Sequence, residues 1–361
     1  MRSSSSRWWW LALALVLVSR PSPAPLIYKP GEGWTYESVG GGKWQRTRAK
    51  DQFEVAQEAF DAGNYGLARK AARRVVKVWP LSDYAPRAQY LVARSEEERG
   101  DLRRAFREYE RLVERFPKTA SYEETLERQK AIGDSFLAGK WYKLWGFLPW
   151  FPTTDKAVEI YSSVVRAGPY SPVAPTAQMQ IGSAHEKQRD YLLAVRAYER
   201  AADRYSDQPA VVADAFYRAG MAWREQAREA DYDQSAAGKA IAAFGDFATL
   251  FPEDPRIPET QGYITELYRT QAEGSYRIAR YYEKRGRDDG AVIYYSDVAD
   301  IYSRQIKEPE APLAVEARQR IADIRGEQAR ESDARRAADL APQGTPPPDP
   351  QPLEPPDPGT R

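Results

Sequence analysis

Apolar and small residues recur along the middle of the chain three, four and seven positions apart, which is the spacing of one face of an α-helix. A clear case starts at Ala105, where an aromatic residue follows at Tyr109 and an aliphatic residue at Leu112. The intervening positions are mostly arginine and glutamate, so one helix face is apolar and the opposite face is charged. The pattern predicts a series of amphipathic helices and an all-α fold.

The same pattern recurs through the chain, and in each copy an alanine starts the apolar face of a helix. These alanines are Ala68, Ala105, Ala157, Ala194, Ala240 and Ala291. A small residue such as Ala93 or Gly182 lies twelve positions upstream, where it lets two antiparallel helices approach closely. Helical hairpins with a period of about 34 residues are the signature of tetratricopeptide (TPR) repeats. We therefore predict a TPR-type α-solenoid of about six helical hairpins over residues 46–328.

The two ends of the chain differ from the repeat region. An apolar run from Trp8 to Val18 follows two arginines; it is too short to span a bilayer and is typical of an export signal. We predict a signal peptide or an uncleaved anchor at residues 1–24, followed by an extended N-terminal arm at residues 25–45. Residues 329–361 are charged and then rich in proline, which predicts a disordered tail.

Composition restricts the chemistry that the chain can perform. Lys and Arg number 53 and Asp and Glu 52, so a net charge of +1 provides no overall basic field for nucleic acid. There is no cysteine, which excludes lipid attachment through a cysteine of this sequence, and the single histidine, His185, occupies a packing position. The run Glu96-Glu97-Glu98 lies among arginines and is expected to form a solvated charged face. We expect a protein-binding, non-catalytic chain without cofactor, metal or nucleic acid.

An aromatic insert at residues 139–155 interrupts the third hairpin. It includes Trp141, Trp145, Phe147 and Trp150. Exposed aromatic clusters mark partner or membrane surfaces, and Trp favours the membrane interface. The insert can also fold back and cover the groove of the solenoid, and the sequence leaves both interpretations open.

A second candidate binding surface is the concave face, which is lined by the first helix of each hairpin. In the first two repeats its outward positions carry cationic, polar and aromatic side chains: Lys50, Phe53, Gln57, Phe60, Arg87, Tyr90 and Arg94. A groove of this composition suits an extended peptide or its C-terminal carboxylate. For each of these residues taken singly, an ordinary hydrophilic face is the alternative.

Together these features resemble the BamD family, the periplasmic lipoproteins of the outer-membrane β-barrel assembly machine. The resemblance rests on four segments: Phe53 to Pro80, Gly100-Asp101 to Phe116-Pro117, Ser171 to Pro175, and Ala279 to Tyr282. The resemblance implies an exported periplasmic scaffold associated with the outer membrane. Its N-terminal hairpins would receive unfolded barrel clients, and its C-terminal hairpins would contact other subunits of the machine.

The sequence departs from the family pattern in lacking a cysteine for lipid attachment. The membrane would then be reached through an uncleaved N-terminus, through the aromatic insert or through partners alone. A periplasmic TPR adaptor that coordinates cell-wall synthesis with envelope constriction is the alternative function.

Overall fold

The computed structural model describes residues 44–139, 153–229 and 234–340, together with four short strands. Helices linked by short turns follow one another through these ranges. They are α1 (Ala49–Asp61), α2 (Tyr65–Val78), α3 (Tyr84–Glu98), α4 (Leu102–Arg115), α5 (Tyr122–Leu137), α6 (Thr153–Ala167), α7 (Ala174–Lys187), α8 (Tyr191–Arg204), α9 (Pro209–Glu229), α10 (Gln234–Leu250), α11 (Ile257–Lys284), α12 (Asp288–Asp300) and α13 (Pro312–Leu340).

The strands form two antiparallel pairs. β1 (Leu26–Lys29) pairs with β2 (Gly33–Tyr36) in the predicted N-terminal arm. β3 (Lys143–Leu144) pairs with β4 (Leu148–Pro149) in the aromatic insert. The predicted signal segment, the Pro-rich part of the tail and residues 140–142, 145–147 and 150–152 of the insert lie outside the described residues. The last three residues predicted for the insert, 153–155, belong to α6.

The turn inside each early hairpin explains where its helices end and begin. Gly63 and Gly100 have positive φ values of 74° and 79°, a conformation that glycine adopts without steric cost, and they end the first helices. The next residue caps the second helix: the side chains of Asn64 and Asp101 each accept a hydrogen bond of 3.1 Å from a backbone N–H three residues ahead. In the fourth hairpin Arg189 occupies the positive-φ position instead.

The repeat positions recognised in the sequence form the core. All six repeat alanines are fully buried. An aromatic ring with no more than 1 % of its surface exposed follows one helical turn later in five of the hairpins: Tyr109, Tyr161, Tyr198, Phe244 and Tyr295. The predicted all-α class with TPR-type hairpins is therefore confirmed.

Small residues on the first helices meet these rings. A Cβ atom added to Gly133, Gly182 or Gly220 would lie 2.7, 2.4 or 2.6 Å from a ring atom of Tyr161, Tyr198 or Phe244, respectively. In these three hairpins the two helices therefore approach too closely for any side chain on the glycine. The sequence prediction of a small residue at this position has a direct steric reason.

The chain divides into two compact units, residues 1–215 and 216–361, with the boundary inside α9. In the second unit α12 continues into a π-helix, Ile301–Ile306, which ends at Lys307 with a positive φ of 63°. The predicted end of the repeat region at residue 328 falls inside α13, which is helical to Leu340. No helix in the described ranges is both long and apolar enough to cross a membrane.

Candidate functional site

A groove of about 650 Å³ lies in the first unit, along α1 and α3 and against the start of α5. It is lined by six of the seven residues predicted for the concave face: Phe53, Gln57, Phe60, Arg87, Tyr90 and Arg94. The seventh, Lys50, is exposed and does not line the groove; its Nζ lies 3.8 Å from Oε1 of Glu54. The volume is in the range of sites that hold small ligands or a few peptide side chains.

Helical periodicity places these side chains on the groove. Phe53, Gln57 and Phe60 follow the i, i+4, i+7 spacing that forms a single stripe on α1. On α3, a parallel stripe carries Arg87 and Arg94 seven positions apart, with Tyr90 between them. Two adjacent helices therefore present aromatic and cationic side chains to one shared surface.

The arginines of α3 lie over the aromatic rings of α1. The Cζ atom of Arg87 is 4.9 Å from the centroid of the Phe53 ring, and that of Arg94 is 5.5 Å from the centroid of Phe60. Phe53 is 6 % exposed, so its ring is the floor of the groove and the guanidinium is the upper layer. Each contact is a cation–π interaction that orders both partners.

The two arginines differ in whether their N–H groups are already paired with a carboxylate. Arg94 donates a hydrogen bond of 2.9 Å to Oε1 of Glu98. Arg87 is exposed and forms no ion pair with a carboxylate of the described residues. Because a guanidinium stacked on a ring keeps its N–H edge free, Arg87 is suited to bind an anionic group.

A polar network closes the other side of the groove. The Tyr90 hydroxyl donates to the Glu124 carboxylate, and Nε of Arg128 donates to Tyr90 at 3.0 Å and to Glu124 at 3.1 Å. Burial, followed by the hydrogen bond to Glu124, raises the pKa of Tyr90. The hydrogen bond from Tyr90, supported by Arg128, lowers the pKa of Glu124 against the effect of its partial burial. Tyr90 stays neutral and Glu124 charged at neutral pH, so the network keeps its geometry.

The concave-face prediction omitted three charged residues of the groove: Asp83, Lys118 and Glu124. Lys118 lies in the turn before α5, where helical periodicity carries no information. Glu124 lies in the first turn of α5, and its pairing with Arg128 at i+4 was the available signal. The groove is lined by three cationic residues, Arg87, Arg94 and Lys118, and by two carboxylates, Asp83 and Glu124. It therefore carries a small excess of positive charge.

The expectation of a solvated Glu96-Glu97-Glu98 face is wrong for Glu96. Its side chain is fully buried and receives hydrogen bonds from Arg69 of α2 at 2.9 Å and from Arg99 at 3.0 Å. Glu96 therefore joins α2 of the first hairpin to α3 of the second. The sequence signal was its position three residues after the buried Ala93, on the apolar face of α3.

Other predicted site residues do not contribute to this groove. Trp141, Trp145, Phe147 and Trp150 lie outside the described residues, so contact of the insert with a membrane stays a prediction. His185 is partly buried, and its Nδ1 lies 3.2 Å from Oε1 of Gln188. In the described ranges no cluster of three or more histidines and carboxylates is placed to hold a metal ion.

The hairpins and their groove define a TPR-type binding protein, and a tetratricopeptide-repeat family model matches residues 54–120. A further family model, YfiO, described as outer membrane lipoprotein, matches residues 153–334, which is half of the chain. The protein belongs to this family.

Two curated relatives are outer membrane protein assembly factors BamD. The chain is 26 % identical to that of Caulobacter vibrioides over 157 residues, which are 44 % of this chain and 51 % of the relative. It is 23 % identical to that of Helicobacter pylori over 160 residues, 44 % of this chain and 71 % of the relative. The matched region thus spans about half the length of the first relative. The resemblance to the BamD family is confirmed.

Among solved structures, that of MamA is 18 % identical and covers 60 % of this chain and 97 % of its own, with a TM-score of 0.30. A TPR protein from Cytophaga hutchinsonii is 13 % identical and covers 74 % and 88 %, with a TM-score of 0.34.

Proposed function

We propose that this protein is a non-catalytic periplasmic scaffold in outer-membrane β-barrel assembly, and that the groove along α1 and α3 binds an extended segment of a client or partner protein. The family and its two assembly-factor relatives support the cellular setting. The observation that carries the binding role is the pair of arginines, Arg87 and Arg94, stacked over Phe53 and Phe60 along the groove.

The groove chemistry matches an extended, partly apolar peptide. Such a peptide presents alternate side chains to one surface, about 6–7 Å apart. Its apolar or aromatic side chains pack on Phe53 and Phe60, and its C-terminal carboxylate binds the free edge of Arg87. Binding and release of such a peptide are the actions that the stacked arginines and aromatic rings of the groove support.

Peptide binding tests the role of the groove. The probe is a synthetic peptide of the C-terminal segment of an outer-membrane β-barrel protein, with a free or an amidated C-terminus, measured by calorimetry. Arg87→Gln is expected to weaken binding of the free-acid peptide about 10- to 100-fold, because a charge-assisted hydrogen bond contributes about 1.5–3 kcal/mol. Lys50→Gln is the matched control, since this substitution removes one positive charge from a position outside the groove. Equal binding of both peptides to wild type and Arg87→Gln would refute carboxylate recognition.

Crosslinking in intact cells tests the proposed setting. A photo-crosslinking amino acid at Gln57, inside the groove, is expected to capture β-barrel precursors or subunits of their assembly machine. The same amino acid at Glu114, which is exposed on α4 away from the groove, is the control. Depletion of the protein is expected to lower the amount of β-barrel proteins in the outer membrane. Unchanged barrel levels, or identical products from the two positions, would contradict the proposal.

A further inference from the structure

Charge is segregated between the two helices of the first two hairpins, although the net charge of the whole chain is near zero. The second helices, α2 and α4, carry ten Lys or Arg and three Glu. The first helices, α1 and α3, carry three Lys or Arg and seven Asp or Glu. Positive charge is therefore concentrated on the helices that do not line the peptide groove.

The cations of α2 form a stripe on its outward face. Lys70, Arg74 and Lys77 follow the i, i+4, i+7 spacing, opposite the buried side of the helix around Ala72 and Val75. α2 contains no Asp or Glu. Lys70 and Lys77 are exposed, and neither pairs with a carboxylate in the part of the chain that the structure describes. Their charge is therefore available to an external anion.

A second groove, of about 490 Å³, extends this positive surface toward α4. Four of its lining residues are cations: Arg73, Lys77, Arg111 and Arg115. The buried Glu108 at its base is 2.7 Å from Arg73 and 2.8 Å from Arg111, which holds the two guanidinium groups in place. One carboxylate against four cations leaves this groove positive.

Apolar side chains project at the end of the cationic stripe. Val78 is 46 % exposed and Leu81 is 98 % exposed. Between them, the ring of Trp79 lies 5.8 Å from the Cζ atom of Arg74. An exposed leucine and a tryptophan beside several lysines and arginines form the composition of a surface that lies at a membrane interface.

We infer that the face formed by Lys70, Arg74, Lys77 and Leu81 docks on the anionic surface of a lipid bilayer. Lipid phosphates would bind the cations, and the side chain of Leu81 would enter the boundary between headgroups and acyl chains. An acidic protein is the less suitable partner because lysine is depleted in protein interfaces. Nucleic acid provides charge but no apolar layer for Leu81. This inference goes beyond the proposed peptide binding, because it concerns α2 rather than the groove of α1 and α3.

Vesicle binding tests the inference with the full-length chain. The probes are vesicles of phosphatidylcholine alone and of equal parts phosphatidylcholine and phosphatidylglycerol, separated by sedimentation. Lys70→Gln combined with Lys77→Gln is expected to lower partitioning to the anionic vesicles roughly 25-fold, because each basic residue near such a surface contributes about fivefold. Leu81→Ser is expected to weaken binding separately. Raising the salt concentration should weaken binding of the wild type.

The matched control is Lys284→Gln combined with Lys307→Gln, which removes the same charge from exposed positions of the second unit. All variants share the same N-terminal residues, so differences between them report the α2 face. Circular dichroism checks that each variant is folded. Equal loss in the two double variants, or equal binding to neutral and anionic vesicles, would overturn the inference. Binding of polyglutamate or duplex DNA through Lys70 and Lys77, without vesicle binding, would also overturn it.

Discussion

Replacing Gly182 of α7 with alanine is expected to destabilise the fourth hairpin. The added Cβ would lie 2.4 Å from Cε1 and 2.5 Å from Cζ of Tyr198 on α8. An ordinary contact between carbon atoms is about 3.5–4 Å, so the ring or the helix must move by roughly 1 Å. Tyr198 is only 1 % exposed, which leaves its ring no open space to move into.

The expected magnitude is a balance of two effects. Overpacking of this kind costs about 1–3 kcal/mol, whereas alanine in place of a helical glycine returns up to about 1 kcal/mol. Because the approach at Gly182 is so short, we expect a net loss of about 1–2 kcal/mol of unfolding free energy. In a unit of this size each 1 kcal/mol corresponds to a fall of about 2–4 °C in Tm.

Gly245→Ala in α10 is the matched control. No heavy atom lies within 4 Å of the Cβ position at Gly245, so only the gain in helix propensity applies. This variant is expected to gain about 0.5–1 kcal/mol. Thermal unfolding gives the sign of each change, and amide hydrogen exchange assigns it to α7 and α8 or to α10. A Gly182→Ala variant as stable as wild type, or more stable, would refute the packing argument.

Glu96→Ala is expected to lower the unfolding free energy by about 2–3 kcal/mol, because the hydrogen bonds from Arg69 and Arg99 to a buried carboxylate are lost. Glu98→Ala, at an exposed position, should cost under about 1 kcal/mol. Urea unfolding compares the two variants, and equal losses would contradict a role for Glu96 in joining α2 to α3. The hydrogen bond from Arg256 lowers the pKa of Asp254 from 3.8 to about 2. Since the folded-state pKa is depressed, the pair stabilises the second unit above about pH 4 and loses that contribution as the pH falls toward about 2. Asp254→Asn should flatten this part of the pH profile measured by urea unfolding, and an unchanged profile would argue against the pairing.

Helix periodicity alone located six of the fourteen residues that line the groove. Phe53 and Phe60 on α1, and Arg87 and Arg94 on α3, fall on stripes that follow from spacing within one helix. Such spacing survives folding because every residue of a helix points in a direction set by its neighbours. Lys50 shows the limit of the method: it belongs to the same helix, yet the groove begins beyond it.

Contacts between helices were not visible in the sequence. Arg69 donates a hydrogen bond to Glu96, which lies 27 positions later in the sequence, and Tyr90 donates one to Glu124, which lies 34 positions later. These pairs depend on how neighbouring hairpins stack, which no local pattern encodes. Glu96 was expected in solvent because its neighbours are charged, although its position three residues after Ala93 places it on the buried face of α3.

The sequence by itself determined the TPR hairpins, the buried alanines and aromatic rings, and the residue types that could line a binding surface. These properties depend on periodicity and on side-chain size, which act within one helix or between adjacent helices. Tertiary structure alone decided which polar residues from different hairpins form contacts and where the groove ends. Contacts between hairpins depend on the three-dimensional arrangement of distant residues, whereas a helix face is already present in the order of its amino acids.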